Sequence, residues 1–254
     1  MSSTSTSTVQ ICKTCGGGAA VDVHFCPQCT KILTLGRQGD YFSFLGVPRR
    51  LNLDLADLEQ RFRALSRQFH PDYFYNATPA ERRASLERSS YLNDAYRTLR
   101  QPITRLEYLL SLEGMDRRRT ERSAGEAAER DNKVPPALLE EVFALNEELD
   151  EVRELRAAGA SSEQWKERLQ AAREPIERKR AGHEQQLEEL FAKWDAVSDR
   201  GAADDERRAV LNALRDRMLE RNYIHNLLAG IERELGSDED AEDAKDADEQ
   251  RRRG

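Results

Sequence analysis

The sequence predicts a mainly α protein with a small cysteine-bearing module at its N-terminus, a helical hairpin in the middle and a C-terminal three-helix bundle. Three observations predict it. Charged residues make up 34% of the 254-residue chain against 38% hydrophobic, which suits solvated helix faces better than a thick sheet core. Only 14 glycines and 8 prolines are present, too few for the turns of a β-sandwich or barrel. Large apolar residues recur at spacings of three and four, and all four cysteines fall between Cys12 and Cys29. The length allows two domains, or one with appendages.

Taken in order, residues 1–10 are Ser/Thr-rich and are expected to be disordered, followed by the cysteine module at 11–37. In the hairpin region, 38–114, Asp54 is a candidate N-cap for a helix whose stripe is Leu55, Leu58, Phe62, Leu65 and Phe69. Pro71 stops that helix, because the residue before a proline avoids helical geometry and proline donates no amide. Thr78-Pro79-Ala80-Glu81 is a capping box with proline at the first helical position. The helix it opens should bury Ala84, Leu92, Ala95, Tyr96 and Leu99 and end at Gln101-Pro102, before a short apolar helix over 103–112.

Residues 115–133 are charged and aperiodic and read as a linker. In the C-terminal region, 134–235, helices are expected over about 136–158, 162–198 and 204–235, separated by Gly159 and Gly201 and packed antiparallel. Pro175 should kink or split the middle one. Trp165 and Trp194 read as core. The tail, 236–254, should be disordered; from Ser237 it holds eight acidic against four basic residues, −4 of the net −7.

Cys12, Cys15, Cys26 and Cys29 form a C-x2-C-x10-C-x2-C pattern. Two short knuckles supply four thiolates, which suits one structural zinc per chain; redox pairs or an iron site are the alternatives. Four sulfurs leave no coordination position for a reacting water, so the module does not read as an active centre. His24, two residues before Cys26, could serve as a ligand, but four sulfurs already complete the shell and it reads as an exposed strand or loop residue. With no apolar run near the ~20 residues that span a bilayer, and no Arg or Lys in residues 1–11 to mark a signal or transit peptide, the expected location is cytoplasmic. The acidic balance argues against nucleic acid as a partner.

His70-Pro71-Asp72 lies between the two hairpin helices, after a helix whose outward face carries Arg63 and Arg67. On its own the tripeptide is a turn with a capping aspartate, and the arginines are a solvated face. In context, with Asp40-Tyr41-Phe42 opening a first short helix and Tyr91 to Leu99 closing the last, the arrangement resembles a J-domain. More closely, residues 40–114 resemble the HscB family of J-domain co-chaperones for iron-sulfur cluster assembly, through DYFSFLGVP from Asp40, FHPDYF from Phe69, LNDAYRTLRQP from Leu92 and RLEYLLSLEG from Arg105. The resemblance continues through LNEELDEV from Leu145, and FCPQC from Phe25 is similar to the zinc module of eukaryotic-type members. It spans about residues 11–235. Tyr73 stands where many J-domains carry lysine.

The resemblance implies that His70, Pro71 and Asp72, with Arg63 and Arg67, bind a DnaK/HscA-class ATPase chaperone and promote its ATP hydrolysis. It implies that Leu139, Phe143, Glu147, Glu151 and Tyr223 bind an IscU-type iron-sulfur scaffold, with acidic and basic partners of the family pattern replaced by Ala144 and Asn146. Spacing alone would instead place Leu139, Phe143 and Tyr223 in the bundle core. The chain itself would bind zinc but no nucleotide and no membrane, with self-association left open. Two other classes compete: a zinc-ribbon and coiled-coil interaction protein, which could bind nucleic acid, and a metal hydrolase using His70 and Asp72. The first is disfavoured by charge, the second by the lack of open-site ligands or a neighbouring nucleophile.

Overall fold

A computed structural model describes residues 9–20, 23–35, 39–115 and 138–236. The expected disorder of residues 1–8 and of the acidic tail from 237, and the linker from 116 onward, lie outside the described residues. Two strands, β1 (Val9–Ile11) and β2 (Gly18–Ala20), pair antiparallel with Val9 opposite Ala20. Val9 and Gln10 therefore belong to a strand rather than to the disordered leader the composition suggests.

Among the described residues seven α-helices follow. α1 (Tyr41–Leu45) starts at a capping box formed by Asp40 and Ser43 and ends at Gly46, whose φ of +67° is the left-handed conformation that favours glycine. α2 (Leu55–Phe69) is capped by the Asp54 carboxylate, which accepts from the amides of Ala56 and Asp57. A 3-10 turn (Pro71–Phe74) links it to α3 (Pro79–Arg100), where Thr78 and Glu81 cap each other reciprocally. α4 (Pro102–Leu112) follows. Leu58, Phe69, Leu92, Ala95, Leu99, Leu106 and Leu109 are buried. Leu55, at the first position of α2, departs from the expected stripe and is 49% exposed. It stands in the first turn, ahead of the buried Leu58.

The chain divides into two compact units. The first joins the cysteine module, α1 to α4 and residues Trp194–Gly201. Within it the Asp195 carboxylate accepts from the amides of Leu51 (2.7 Å) and Asn52 (3.0 Å), the Trp194 indole donates to the Arg49 carbonyl (3.2 Å), and Arg50 pairs with both oxygens of Asp199. These contacts satisfy backbone amides that the loop before α2 cannot pair by itself.

The second unit is built from α5 (Leu139–Ala157), most of α6 (Ser162–Asp199) and α7 (Asp204–Gly236). Its core gathers Leu145, Leu149 and Val152 from α5, Trp165, Leu169 and Ile176 from α6, and Ile224, Leu228 and Ile231 from α7. Pro175 does not split α6. No helix of the described residues is long and apolar enough to cross a membrane. Replacing Leu58 by alanine should cost unit one about 2–5 kcal/mol, the usual penalty for a cavity at a fully buried leucine, read as a lower urea midpoint by circular dichroism.

Candidate functional site

The four cysteines converge. Their sulfurs all lie within 4.8 Å of one another, with Cys12 Sγ 3.7 Å from Cys29 Sγ and Cys15 Sγ 3.6 Å from Cys26 Sγ. Bonds of ~2.3 Å to a tetrahedral ion give a sulfur–sulfur edge of about 3.8 Å, so the cage fits a metal held by four thiolates, as a zinc module requires. The two knuckles are built alike. The amide of Gly16 donates to the Cys12 carbonyl and that of Thr30 to the Cys26 carbonyl, both at 2.9 Å, and both residues take positive φ, +74° and +58°. Backbone amides of Cys15 and Thr14 pull the Cys12 thiol down to about 6. The Lys31 amide also favours the Cys29 thiolate, but burial and the three other cysteines override it and push that thiol up to about 12. Four sulfurs this close do not ionise together without a cation between them.

The His-Pro-Asp loop stands at the C-terminal end of α2. The His70 side chain is 53% and that of Asp72 87% exposed, and both Tyr73 and Tyr75 face solvent. The Asp72 amide donates to His70 Nδ1 (3.4 Å), and Asp72 Oδ2 lies 3.5 Å from the same nitrogen, so the two side chains are held together at the tip of the loop. The loop is fixed from behind. Phe69 is fully buried, and its carbonyl accepts from the hydroxyls of Ser85 (2.6 Å) and Ser89 (2.9 Å) on α3. Tyr73 and Ala77 amides close the turn onto the carbonyls of His70 and Phe74. On the outer face of α2, Arg63 pairs with Glu59 at 2.6 Å, and Arg63 and Arg67 line a shallow groove with Ala56, Glu59 and Gln60.

The cysteine module lies against the same region. Arg88, in the middle of α3 and only 2% exposed, donates to the carbonyls of Leu33 (2.8 Å) and Thr34 (3.3 Å) and to His24 Nδ1 (2.7 Å). His24 is therefore not an exposed loop residue: its ring meets Phe44 and Phe69 edge-on at 4.8 and 5.0 Å. Lys31 bonds Glu81 at 2.9 Å, and the Lys31 ammonium, with the hydroxyl and amide of Thr78, holds the Glu81 carboxyl down to about 2. Spacing gave one overlooked sign of this contact. Arg88 occupies the position between Ala84 and Leu92 on the inward stripe, where an apolar residue belongs.

In the second unit, Leu139 is 39% and Phe143 70% exposed. The core placement that spacing favours fails for both, because Leu145, Leu149 and Val152 supply the inward face of α5 instead. Glu147 is exposed, and Glu151 shares Arg168 with Glu148. Tyr223 is partly buried and packs against the bundle core.

The described residues thus combine a helical hairpin with an exposed His-Pro-Asp loop, a four-cysteine cage that could hold a metal ion, and a helical bundle. No protein-family model matches the chain. Among solved structures it is similar to that of the human co-chaperone protein HscB, at 26% identity and a TM-score of 0.57 over 89% of this chain and 98% of that one. The chaperone HscB from Vibrio cholerae matches at 25% identity and a TM-score of 0.46, over 78% of this chain and 99% of that one. Over nearly the whole of that human structure the chain is similar in fold and in sequence to an HscB co-chaperone.

The Glu81–Lys31 pair makes a pH prediction. A carboxyl depressed to about 2 from 4.5 stabilises the fold fully above the ordinary value and loses that contribution as pH falls toward 2. The stability difference between wild type and Glu81→Gln should be largest above about pH 5 and shrink on acidification, read from thermal melts across pH.

Proposed function

We propose that the chain binds an IscU-type iron-sulfur scaffold through its C-terminal bundle, delivers it to a DnaK/HscA-class ATPase chaperone through the His-Pro-Asp loop, and stimulates that chaperone's ATP hydrolysis to promote cluster transfer. The observation that carries this reading is the exposure of His70 and Asp72 on a loop braced by α3, in a chain that follows the human co-chaperone over almost all of that structure. Arg63 and Arg67 steer an acidic chaperone surface toward the loop, an attraction that salt weakens. His70 and Asp72 then supply short-range polar contacts from a backbone that Pro71 restricts. Binding the hydrolysis-competent conformation more tightly than the resting one shifts the chaperone toward it, and the bond-breaking step belongs to the chaperone.

On α5, Leu139 and Phe143 stand one turn apart and Glu147 follows after another, an apolar anchor with an acidic margin. With Glu151 and the accessible part of Tyr223 they form the scaffold-binding group. Cys12, Cys15, Cys26 and Cys29 hold one structural zinc, whose four thiolate ligands suit the reducing cytoplasm.

Steady-state ATP turnover by the chaperone, with scaffold present, tests the first half: wild type accelerates it and His70→Gln does not, whereas equal stimulation by both removes the loop from the mechanism. Phe143→Ala should weaken scaffold binding by about 2 kcal/mol, roughly thirtyfold in Kd, with helix content unchanged; unaltered affinity in a calorimetric titration rejects the α5 face. Metal analysis should find one zinc per chain in wild type and none in Cys15→Ser.

A further inference from the structure

The contacts between the cysteine module and α3 converge on the residue just ahead of the His-Pro-Asp tripeptide. The Arg88 guanidinium lies 5.7 Å from the Phe69 ring centroid and 5.8 Å from that of Phe44, while His24 meets both rings on their edges. The Phe25 ring lies 6.1 Å from Phe69. Phe69 is thus enclosed by a cation from α3 and by aromatic rings from the module. Its neighbour in sequence, His70, is the first residue of the functional loop.

Arg88 makes this packing conditional on the module. Burial lowers its pKa to about 10, so it stays protonated at neutral pH. Among the described residues its hydrogen-bond acceptors are the Leu33 and Thr34 carbonyls and the His24 ring, all contributed by the module. A buried cation deprived of its acceptors is strongly disfavoured and must swing toward water, opening the space beside Phe44 and Phe69. The module has little apolar core besides its cysteines, Cys12, Cys26 and Cys29 clustering with Ala19 and Leu33, so metal is what keeps those acceptors in place.

We propose that Arg88 is a positioning residue that couples metal occupancy of the four-cysteine module to the conformation of the His-Pro-Asp loop, through its hydrogen bonds to the module and its packing on Phe69. The inference rests on the J-domain reading for its functional consequence, but not for its structural one. With metal bound, the module's carbonyls hold Arg88, Arg88 and His24 hold Phe69, and the loop keeps one shape. Without it, only the Ser85 and Ser89 hydroxyls of this set still hold the Phe69 carbonyl.

The test is hydrogen exchange on the full-length chain, zinc-loaded and EDTA-stripped, with zinc content measured alongside. In wild type, stripping should speed exchange of the Tyr73, Tyr75 and Ala77 amides about tenfold, while α4 amides such as Leu109 stay protected. Arg88→Met should still bind one zinc yet exchange fast in both states. His24→Leu, which removes one acceptor outside the ligand set, should behave the same way, and it serves if Arg88→Met does not fold. The proposal is overturned if stripping leaves the three loop amides unchanged, if it deprotects the whole unit uniformly, or if the folded variants respond to stripping as wild type does. Chaperone ATPase stimulation by the zinc-loaded wild type reports separately on the J-domain reading. Its absence would remove that reading and leave the exchange result standing.

Discussion

The position of Phe69 governs the end of the molecule that carries the His-Pro-Asp loop. It is the last residue of α2 and fully buried, so the helix that Pro71 brings to a stop ends on an anchored residue, and its carbonyl fixes how the next residue departs. Two serine hydroxyls from α3 take that carbonyl, which helix termination would otherwise leave without an amide partner. Everything exposed in the loop, His70, Asp72 and Tyr73 included, inherits its direction from this buried anchor. Three residues in a flexible turn would sample many conformations; three residues following a clamped carbonyl do not, and the loop presents a preformed surface.

The two compact units differ in the way they leave groups exposed. In the first, Leu58, Phe69, Leu92, Leu99, Leu106 and Leu109 are drawn inward, and solvent receives the His-Pro-Asp loop with Tyr73 and Tyr75 beside scattered helix residues such as Leu55 and Leu86. In the second, α5 has its core-facing residues at Leu145, Leu149 and Val152, while Leu139 and Phe143 stay in water ahead of them. Exposing a phenylalanine costs free energy unless something covers it part of the time, so an outward Phe143 beside Leu139 is a more telling feature than any of the surface ion pairs around it. The charges of this unit, among them the Arg168 contacts with Glu148 and Glu151, are part-exposed ion pairs that contribute little to stability each.

The cysteine module has two kinds of chemistry in one small space. Its sulfurs form a closed cage, which is a structural arrangement. Its backbone carbonyls and its histidine form the acceptor set for a buried guanidinium on another element. A piece of chain too small to hold itself together thereby becomes part of the wall behind the loop, and the same contacts that position it against α3 also carry its state to Phe69.

Local signals determined a great deal here: Asp54 and the Thr78–Glu81 box mark helix starts, Pro71 and Gln101-Pro102 mark stops, and the spacing of Cys12, Cys15, Cys26 and Cys29 defines a cage, because each depends on atoms within a few residues of one another. The helical class and the three-helix arrangement were equally legible in the apolar period. Tertiary structure alone decided which amphipathic residues face in. Leu55, Leu139 and Phe143 have apolar neighbours at helical spacing yet lie exposed, because the core was already closed by Leu58 in one unit and by Leu145, Leu149 and Val152 in the other. It alone brought Arg88 to His24 across 64 positions of chain, since a contact between a buried cation and distant carbonyls has no period and no local motif, only a place in three dimensions.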